Sequence, residues 1–448
     1  MPRKLDRRTF LEIVGAGAGT LAAAKTAQTA PTGSNRPPNF VLLFADDLGY
    51  GDLSCFGHPT IQTPRLDRMA QEGVKMTSFY ASAPVCSPSR AALMTGRYPP
   101  RCGMPGNTGP GSDTHLPLSE ITLADALKEQ GYSTMCIGKW HLGHAKDEYL
   151  PVNRGFDHWF GLPYSNDMRK PWVQTEAPLK LYRDTKAIEH PVNQDTLTER
   201  YTEEAVKFIQ RSANEPFFLY LPYTMPHLPL HTSERFHGQS RAGLYGDVIE
   251  ALDWSVGRIL DALKQEGVDR NTVVVFTSDN GPWLNLPDRM LQAGNERWHA
   301  GSPGPLRGAK GTTWEGGMRV PMIARWPGRL PSGHVSGELA STLDIFPSFL
   351  SAAGMEYPGD RTIDGNDLLP VLQGEANSPT DYFYYFRGRN LQAVRDSTWK
   401  LRQTGGDTGL YHLNRDPGER YNVAGEHSEV VSRLQEQMKS FESDVYSG

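Results

Sequence analysis

The feature that most constrains this chain is a repeated order: a helical stretch, a short apolar run, then a charged or polar residue. Phe40 to Ala45 is wholly apolar and ends in Asp46-Asp47. Thr63-Pro64 opens a predicted helix, Thr as N-cap and Pro in the first turn, and Gly73 closes it before a strand from Val74 to Tyr80. Leu123 to Gln130 reads as a helix stopped by Gly131, followed by a strand from Tyr132 to Ile137. Thr198 to Arg211 reads as a helix and Phe217 to Tyr220 as its strand. In Tyr245 to Gln265, Val248, Leu252, Ile259 and Leu263 fall at helical spacing, and Thr272 to Phe276 is the buried strand after them. This alternation predicts an α/β sandwich, with a large, mostly parallel sheet flanked by helices. Ligands of such sheets bind beyond the carboxyl ends of the strands. Those ends carry Asp46-Asp47, Lys139-Trp140-His141, His227 and Asp279-Asn280, so four strands are expected to deliver reactive groups to one edge.

A chain of 448 residues, 38% hydrophobic, can bury one major domain and a smaller one. Residues 37–374 read as the catalytic domain. Near residue 375 the character changes. Tyr382 to Phe386, Leu391 to Arg395, Lys400 to Arg402 and Leu410 to Leu413 are short strand-like pieces, and Ser428 to Phe441 is a helix. Residues 375–448 are therefore expected to form a small antiparallel sheet with one helix. Residues 1–36 read as a twin-arginine-type export signal and linker. Arg7-Arg8 precedes a mildly apolar run, and Ala22 and Ala24 suit a cleavage site. The run contains Glu12 and is too short to span a bilayer, so the mature chain is expected to be periplasmic or secreted, without a membrane span. A net charge of −5 and the absence of a basic run exclude a nucleic-acid partner. The four cysteines form no CxxC pair, and Cys55 and Cys136 read as buried filler. Irregular segments at 101–117 and 281–313 read as a substrate rim.

Two sites carry chemistry. Cys86-Ser87-Pro88-Ser89-Arg90 opens a predicted helix that ends near Gly96, placing the Cys86 side chain at a helix N-terminus, where an anion is favoured. Asp46, Asp47, Asp279 and Asn280 make a hard, all-oxygen donor set suited to Ca²⁺ or Mg²⁺ and not to Zn²⁺. Taken singly, a Cys before a helix is more often packing, and Asp or Asn at a strand end is more often a turn former. Two acidic pairs at two strand ends weigh against the turn reading.

The segment Cys86 to Arg90, continued by Leu93 and Thr95-Gly96-Arg97, resembles the signature of type I, formylglycine-dependent sulfatases. Gly138-Lys139-Trp140-His141-Leu142-Gly143, Thr224-Met225-Pro226-His227 and the lysine loop from Gly308 to Gly317 resemble further motifs of that family. Gly49-Tyr50-Gly51-Asp52-Leu53 and Leu413 to Glu419 place the resemblance in the arylsulfatase A and N-acetylgalactosamine-6-sulfatase branch. The resemblance runs from about Asn39 to the C-terminal helix and implies an alkaline-phosphatase-like fold. It also implies that Cys86 is converted by a maturase to formylglycine (3-oxoalanine). Asp46, Asp47, Asp279, Asn280 and the modified residue 86 would hold Ca²⁺ or Mg²⁺. Arg90, Lys139, His141, His227 and Lys310 would be catalytic, and Ser165, Lys139, His227 and Lys310 would bind a sulfate ester of a small molecule or glycan. The rim at 104–116 and 285–305 does not identify the substrate. Two rival readings are a phosphatase or phosphonate hydrolase of the same superfamily, and an inactive binder of sulfated glycans. The cationic set favours sulfate over the first, and the complete site speaks against the second.

Overall fold

The computed structural model describes residues 36–447. The expected export signal lies outside the described residues, apart from Arg36. Strand β1 (Asn39–Ala45) is buried along its whole length, as a strand covered on both faces must be. Its side chains alternate between two cores: Val41, Leu43 and Ala45 join one, and Phe40, Leu42 and Phe44 the other. The sheet is thus the wall between two hydrophobic layers.

In chain order the sheet adds β2 (Val74–Met76), β4 (Ser133–Ile137), β5 (His158–Gly161), β6 (Leu181–Arg183), β7 (Lys186–Glu189), β8 (Phe217–Pro222), β9 (Thr272–Ser278), β10 (Met322–Arg325) and β11 (His334–Ser336). Their order across the sheet is β11-β2-β10-β9-β1-β8-β4-β5-β6-β7. The five central strands, β9 to β5, pair in parallel, and only β10 and β6 run against the rest. The mostly parallel sheet expected from the sequence is present, with its antiparallel pairs at the flanks.

Helices α1 (Pro64–Gln71), α4 (Leu197–Ser212) and α5 (Gly243–Gln265) cover one face through Leu66, Tyr201, Phe208, Val248, Leu252 and Ile259. Helices α2 (Cys86–Thr95), α3 (Leu123–Glu129) and α6 (Ile345–Ala352) cover the other through Leu93, Leu127 and Phe349. A second sheet, β13 (Phe383–Arg387), β14 (Asn390–Arg395), β15 (Trp399–Thr404) and β16 (Asp407–His412), is antiparallel throughout. With helix α7 (Ser428–Ser447) it closes a third core against Tyr80, Ala92 and Met318 of the main body. Among the described residues no helix is long and apolar enough to cross a membrane.

Three local expectations change. The predicted strand Val74 to Tyr80 is two: β2 pairs with β10, and β3 (Phe79–Tyr80) leaves that sheet to pair with β12 (Ala340–Ser341). Thr63 does not cap α1, because its hydroxyl bonds Ser54 and Asp67 instead. Asp253 of α5 takes the capping role, accepting from the N–H groups of Arg65 and Leu66 at 3.0 and 2.8 Å. Gly73 is not the helix stop either. A Cβ there would lie 2.2 Å from the Ala324 carbonyl oxygen, so glycine is required by close approach to β10.

Candidate active site

The carboxyl ends of the parallel strands converge, and backbone hydrogen bonds lock them together. The N–H of Asp46, after β1, donates to Met225 O in the loop after β8, and the N–H of Asp279, after β9, donates to Ala45 O. After β4 the chain passes Gly138, where a Cβ would meet Pro222 O at 1.9 Å, and delivers Lys139 and His141. Helix α2 brings Cys86 to the same place, with its Sγ 3.7 Å from Asp46 Oδ1. The lysine loop is tied to this helix start by the Gly311 N–H, which donates to Pro84 O at 2.8 Å. Asp47 and His141 hold left-handed backbone, φ 66° and 61°, a conformation that costs a residue other than glycine about 1–3 kcal/mol. Strain of this kind persists where surrounding contacts fix the residue.

The site is a buried lattice of opposite charges. Arg90, one turn into α2, donates to Asp279 Oδ2 at 2.7 and 3.1 Å and lies 3.4 Å from Asp46 Oδ1. Lys139 Nζ is 2.7 Å from Asp46 Oδ2, and Lys310 Nζ is 2.7 Å from Asp47 Oδ1. Burial opposes ionisation of Asp46, but Lys139, His227 and Arg90 outweigh it and hold its carboxyl below the usual range. Burial pushes the Cys86 thiol up to about 12, against the pull of Lys139 and Lys310. Cys86 is therefore a neutral thiol at neutral pH and a poor nucleophile as it stands.

The two histidines differ in their hydrogen bonds. His141 Nε2 faces Thr108 O at 2.9 Å, and since a carbonyl can only accept, Nε2 carries the proton. Its Nδ1 is buried without a hydrogen-bond partner. Burial, then Lys139 and Arg90, lower the His141 pKa well below its ordinary value, so the ring is neutral. His227 Nδ1 donates to Leu228 O at 2.6 Å, leaving Nε2 directed at the site, 3.5 Å from Asp47 Oδ2. Ser165 Oγ lies 3.4 Å from both His227 ring nitrogens.

The donor set fits a hard divalent cation. Ligand atoms of Asp46, Asp47, Cys86 and His227 all lie within 4.8 Å of one another. Asn280 Nδ2 donates to Asp47 Oδ1 at 2.7 Å, while its Oδ1 is buried with no hydrogen-bond partner and can face a cation. Asp279 stands just outside that group, joined to Asp47 by the Asp47 N–H at 3.0 Å. All ten predicted catalytic, metal and cationic positions, with Ser165, thus belong to one assembly.

Sequence reasoning did not single out three contributors. Thr108 fixes the His141 tautomer through its carbonyl oxygen, and Asn107 Oδ1 accepts from the Ser87 N–H at 2.9 Å. Trp283 packs its ring 5.4 Å from that of His227 and 4.8 Å from Lys310 Nζ. All three lie in segments read only as substrate rim. Trp283 has a signal in its position, three residues after the Asn280 strand end. A main-chain carbonyl such as that of Thr108 has no residue-type signal at all.

Comparison with known proteins agrees with this geometry. The Sulfatase family model matches residues 38–355, and the model for the C-terminal part of N-sulphoglucosamine sulphohydrolase matches 309–444. The chain is 39% identical to N-acetylgalactosamine-6-sulfatase of Mus musculus, over 93% of this chain and 88% of that protein. Among solved structures, the PsFucS1 sulfatase from Pseudoalteromonas sp. superposes with a TM-score of 0.82 at 29% identity, covering 92% of this chain and 91% of that one. Ps i-CgsB in complex with k-i-k-neocarrahexaose gives 0.79 at 30%, covering 91% and 93%. The chain belongs to the sulfatase family, with an alkaline-phosphatase-like fold, and is a sulfuric ester hydrolase.

Proposed function

We propose that this enzyme removes a sulfate ester from a carbohydrate, with formylglycine derived from Cys86 as nucleophile and a divalent cation, Ca²⁺ or Mg²⁺, as Lewis acid. The observation that carries the reading is the meeting of Cys86, at a helix start, with two adjacent carboxylates and three cationic side chains at one sheet edge. The inert thiol supports it, since an unmodified Cys86 would be a poor attacking group there. Similarity to a mouse N-acetylgalactosamine-6-sulfatase supports a 6-O-sulfate on a galactose-type sugar, and aryl sulfates would be cleaved as small surrogates.

Formylglycine, when hydrated, supplies two hydroxyls, one to attack sulfur and one to let sulfate leave without hydrolysis of a stable ester. Asp46, Asp47, Asn280 and Asp279 would hold the cation, which would neutralise charge on the sulfate oxygens. Lys139 and Lys310 flank the same space and orient the sulfate by charge. Arg90 braces Asp279 and the Lys139 carbonyl, which it meets at 3.0 Å. His227, pinned through Nδ1, turns Nε2 toward the leaving alcohol, to which it would give a proton as the imidazolium. His141, neutral with a bare Nδ1, accepts the proton of the second hydroxyl.

Mass spectrometry of a digest of the active protein tests the nucleophile. Formylglycine is expected at position 86, and Cys86→Ala is expected to have no turnover while keeping its Tm. Full activity with an unmodified thiol would refute the reading. Export through the twin-arginine route is part of the same proposal, and that route carries folded proteins. Since Cys86 is buried, its modification must precede folding and so take place in the cytoplasm. Fractionation of an Arg7→Lys, Arg8→Lys double variant should find protein retained in the cell yet carrying the aldehyde. A retained form holding only the thiol would reverse that order.

A further inference from the structure

The lysine loop is closed at its base by the Gly316 N–H, which donates to Arg307 O at 2.6 Å. Its tip is Lys310, on Asp47. At its base, Trp314 has two guanidinium groups against it. The Arg307 carbon lies 3.8 Å from the indole centroid and the Arg402 carbon 4.0 Å from it. Arg402 comes from β15, and Tyr411 of β16 stands edge-on to Trp314 at 5.7 Å. Arg387, at the end of β13, is near enough for its charge to act on Arg402. It borders a cavity of about 170 Å³ whose other walls include Val85, next to Cys86, and Gly311, next to Lys310. The second sheet therefore brings positive charge to the flank of the catalytic site.

Among the described residues no carboxylate forms an ion pair with these three arginines. Arg307 donates to a main-chain oxygen, that of Glu419, at 2.9 Å, and Arg402 donates to the neutral Thr404 Oγ1 at 2.6 Å. Arg402 Nε is buried with no hydrogen-bond partner. Glu419, the carboxylate whose field reaches Arg402, is already held by Lys400 at 2.9 Å and by the Glu315 N–H at 2.8 Å. Gathering like charges costs free energy that an anion would offset. A guanidinium stacked on an indole keeps its in-plane N–H edge free, and that edge matches the paired oxygens of a sulfate or carboxylate.

We infer that Arg307 and Arg402, stacked on Trp314, form with the nearby Arg387 a second anion subsite beside the Lys310 loop, which takes a sulfate or carboxylate on a neighbouring unit of a polyanionic glycan. This inference rests on the carbohydrate reading above. It makes the C-terminal sheet a specificity element for chains that carry more than one anion, and leaves the sulfate-cleaving groups as already described.

The test compares wild type with Arg307→Gln, Arg402→Gln and the double variant. Substrates are nitrophenyl sulfate and three oligosaccharides with the same scissile sulfate, whose neighbouring unit carries a sulfate, a carboxylate or no charge. Wild type should show a KM lower by roughly tenfold for at least one charged neighbour, the scale of one charge-assisted hydrogen bond. That advantage should vanish in the double variant, with kcat and nitrophenyl sulfate turnover unchanged, and be partly kept by Arg402→Lys. The preferred neighbour identifies the anion. Equal KM for all three oligosaccharides in wild type overturns the subsite. So does an equal loss on nitrophenyl sulfate in the double variant, which would make the stack a brace for the loop. Titration with dextran sulfate, read by tryptophan fluorescence, decides the point without turnover: weaker binding by the double variant is expected, and equal binding overturns it. A wild type that binds dextran sulfate through these arginines but cleaves no sulfate ester would instead refute the proposed reaction.

Discussion

His141 and His227 stand in one site, each donating one ring N–H to a backbone carbonyl, and they differ in the charge around the ring: Lys139 and Arg90 beside His141, the Asp47 carboxylate 3.5 Å from His227 Nε2. The Thr108 carbonyl fixes the proton of His141 on Nε2 and leaves Nδ1 bare, as the proposed base requires. The Leu228 carbonyl fixes His227 by Nδ1 and leaves Nε2 to face Asp47 and the incoming group. A general acid matters in proportion to the basicity of the leaving group. His227→Ala should therefore slow hydrolysis of a sugar sulfate by about 10²–10⁴-fold, the usual contribution of a positioned acid. An aryl sulfate, which departs as a stabilised phenolate, should be affected far less. Steady-state kcat on the two substrate types checks this, and an equal loss on both would remove the acid role.

Among the elements, the second sheet has the most unusual junction with the body. Lys400 of β15 is fully buried and lies 3.0 Å from Glu315 and 2.9 Å from Glu419, while its Nζ also donates to Thr313 O at 2.9 Å. Glu315 also accepts from the hydroxyls of Tyr80 and Tyr385. Burial works against the Glu315 carboxylate, yet Lys400, Arg395 and Arg319 hold it down at about 2. One ammonium thus bridges two carboxylates behind the lysine loop, the partner of Glu419 and one of three cations acting on Glu315. Lys400→Met should leave Glu419 without its paired cation and cost about 3–5 kcal/mol, the scale for breaking a buried pair by removing one partner. Urea denaturation measures it, and a change within the scatter of surface substitutions would show that the network is not holding the junction.

For the whole molecule, five parallel strands point their carboxyl ends at one locus, and three carboxylates meet three cationic side chains there. A cation bound only by the assembled site stabilises the native state by mass action. Calcium at about a hundred times its Kd should add about 2.7 kcal/mol and raise Tm, and a chelator should reverse the shift. Asp46→Ala should abolish the response. Calorimetry with and without calcium reads this independently of activity, and an unmoved Tm in the parent protein would dismiss the cation site.

The sequence by itself marked four of the five parallel core strands, β1, β4, β8 and β9, and the residues that follow them, while β5 went unmarked. Both are local properties: a fully apolar run marks a strand buried on two faces, and Asp46-Asp47 or Asp279-Asn280 simply follows it in the chain. Strand-end position marked Lys139 and His227 as well, and the resemblance to sulfatase motifs marked Cys86, Arg90 and Lys310. Tertiary structure alone decided whatever depends on a partner far along the chain. Asp253 replaces Thr63 as the cap of α1 from 188 positions away. The Phe79–Tyr80 segment leaves the main sheet because Ala340–Ser341 offers it a second partner. The His141 tautomer is set by a backbone carbonyl 33 residues distant, a group that every residue possesses and no pattern can mark. The pairing of Arg307 with Arg402 across Trp314 belongs to the same class. Apolar periodicity records which side of an element is buried, and only the folded chain decides which distant groups share that burial.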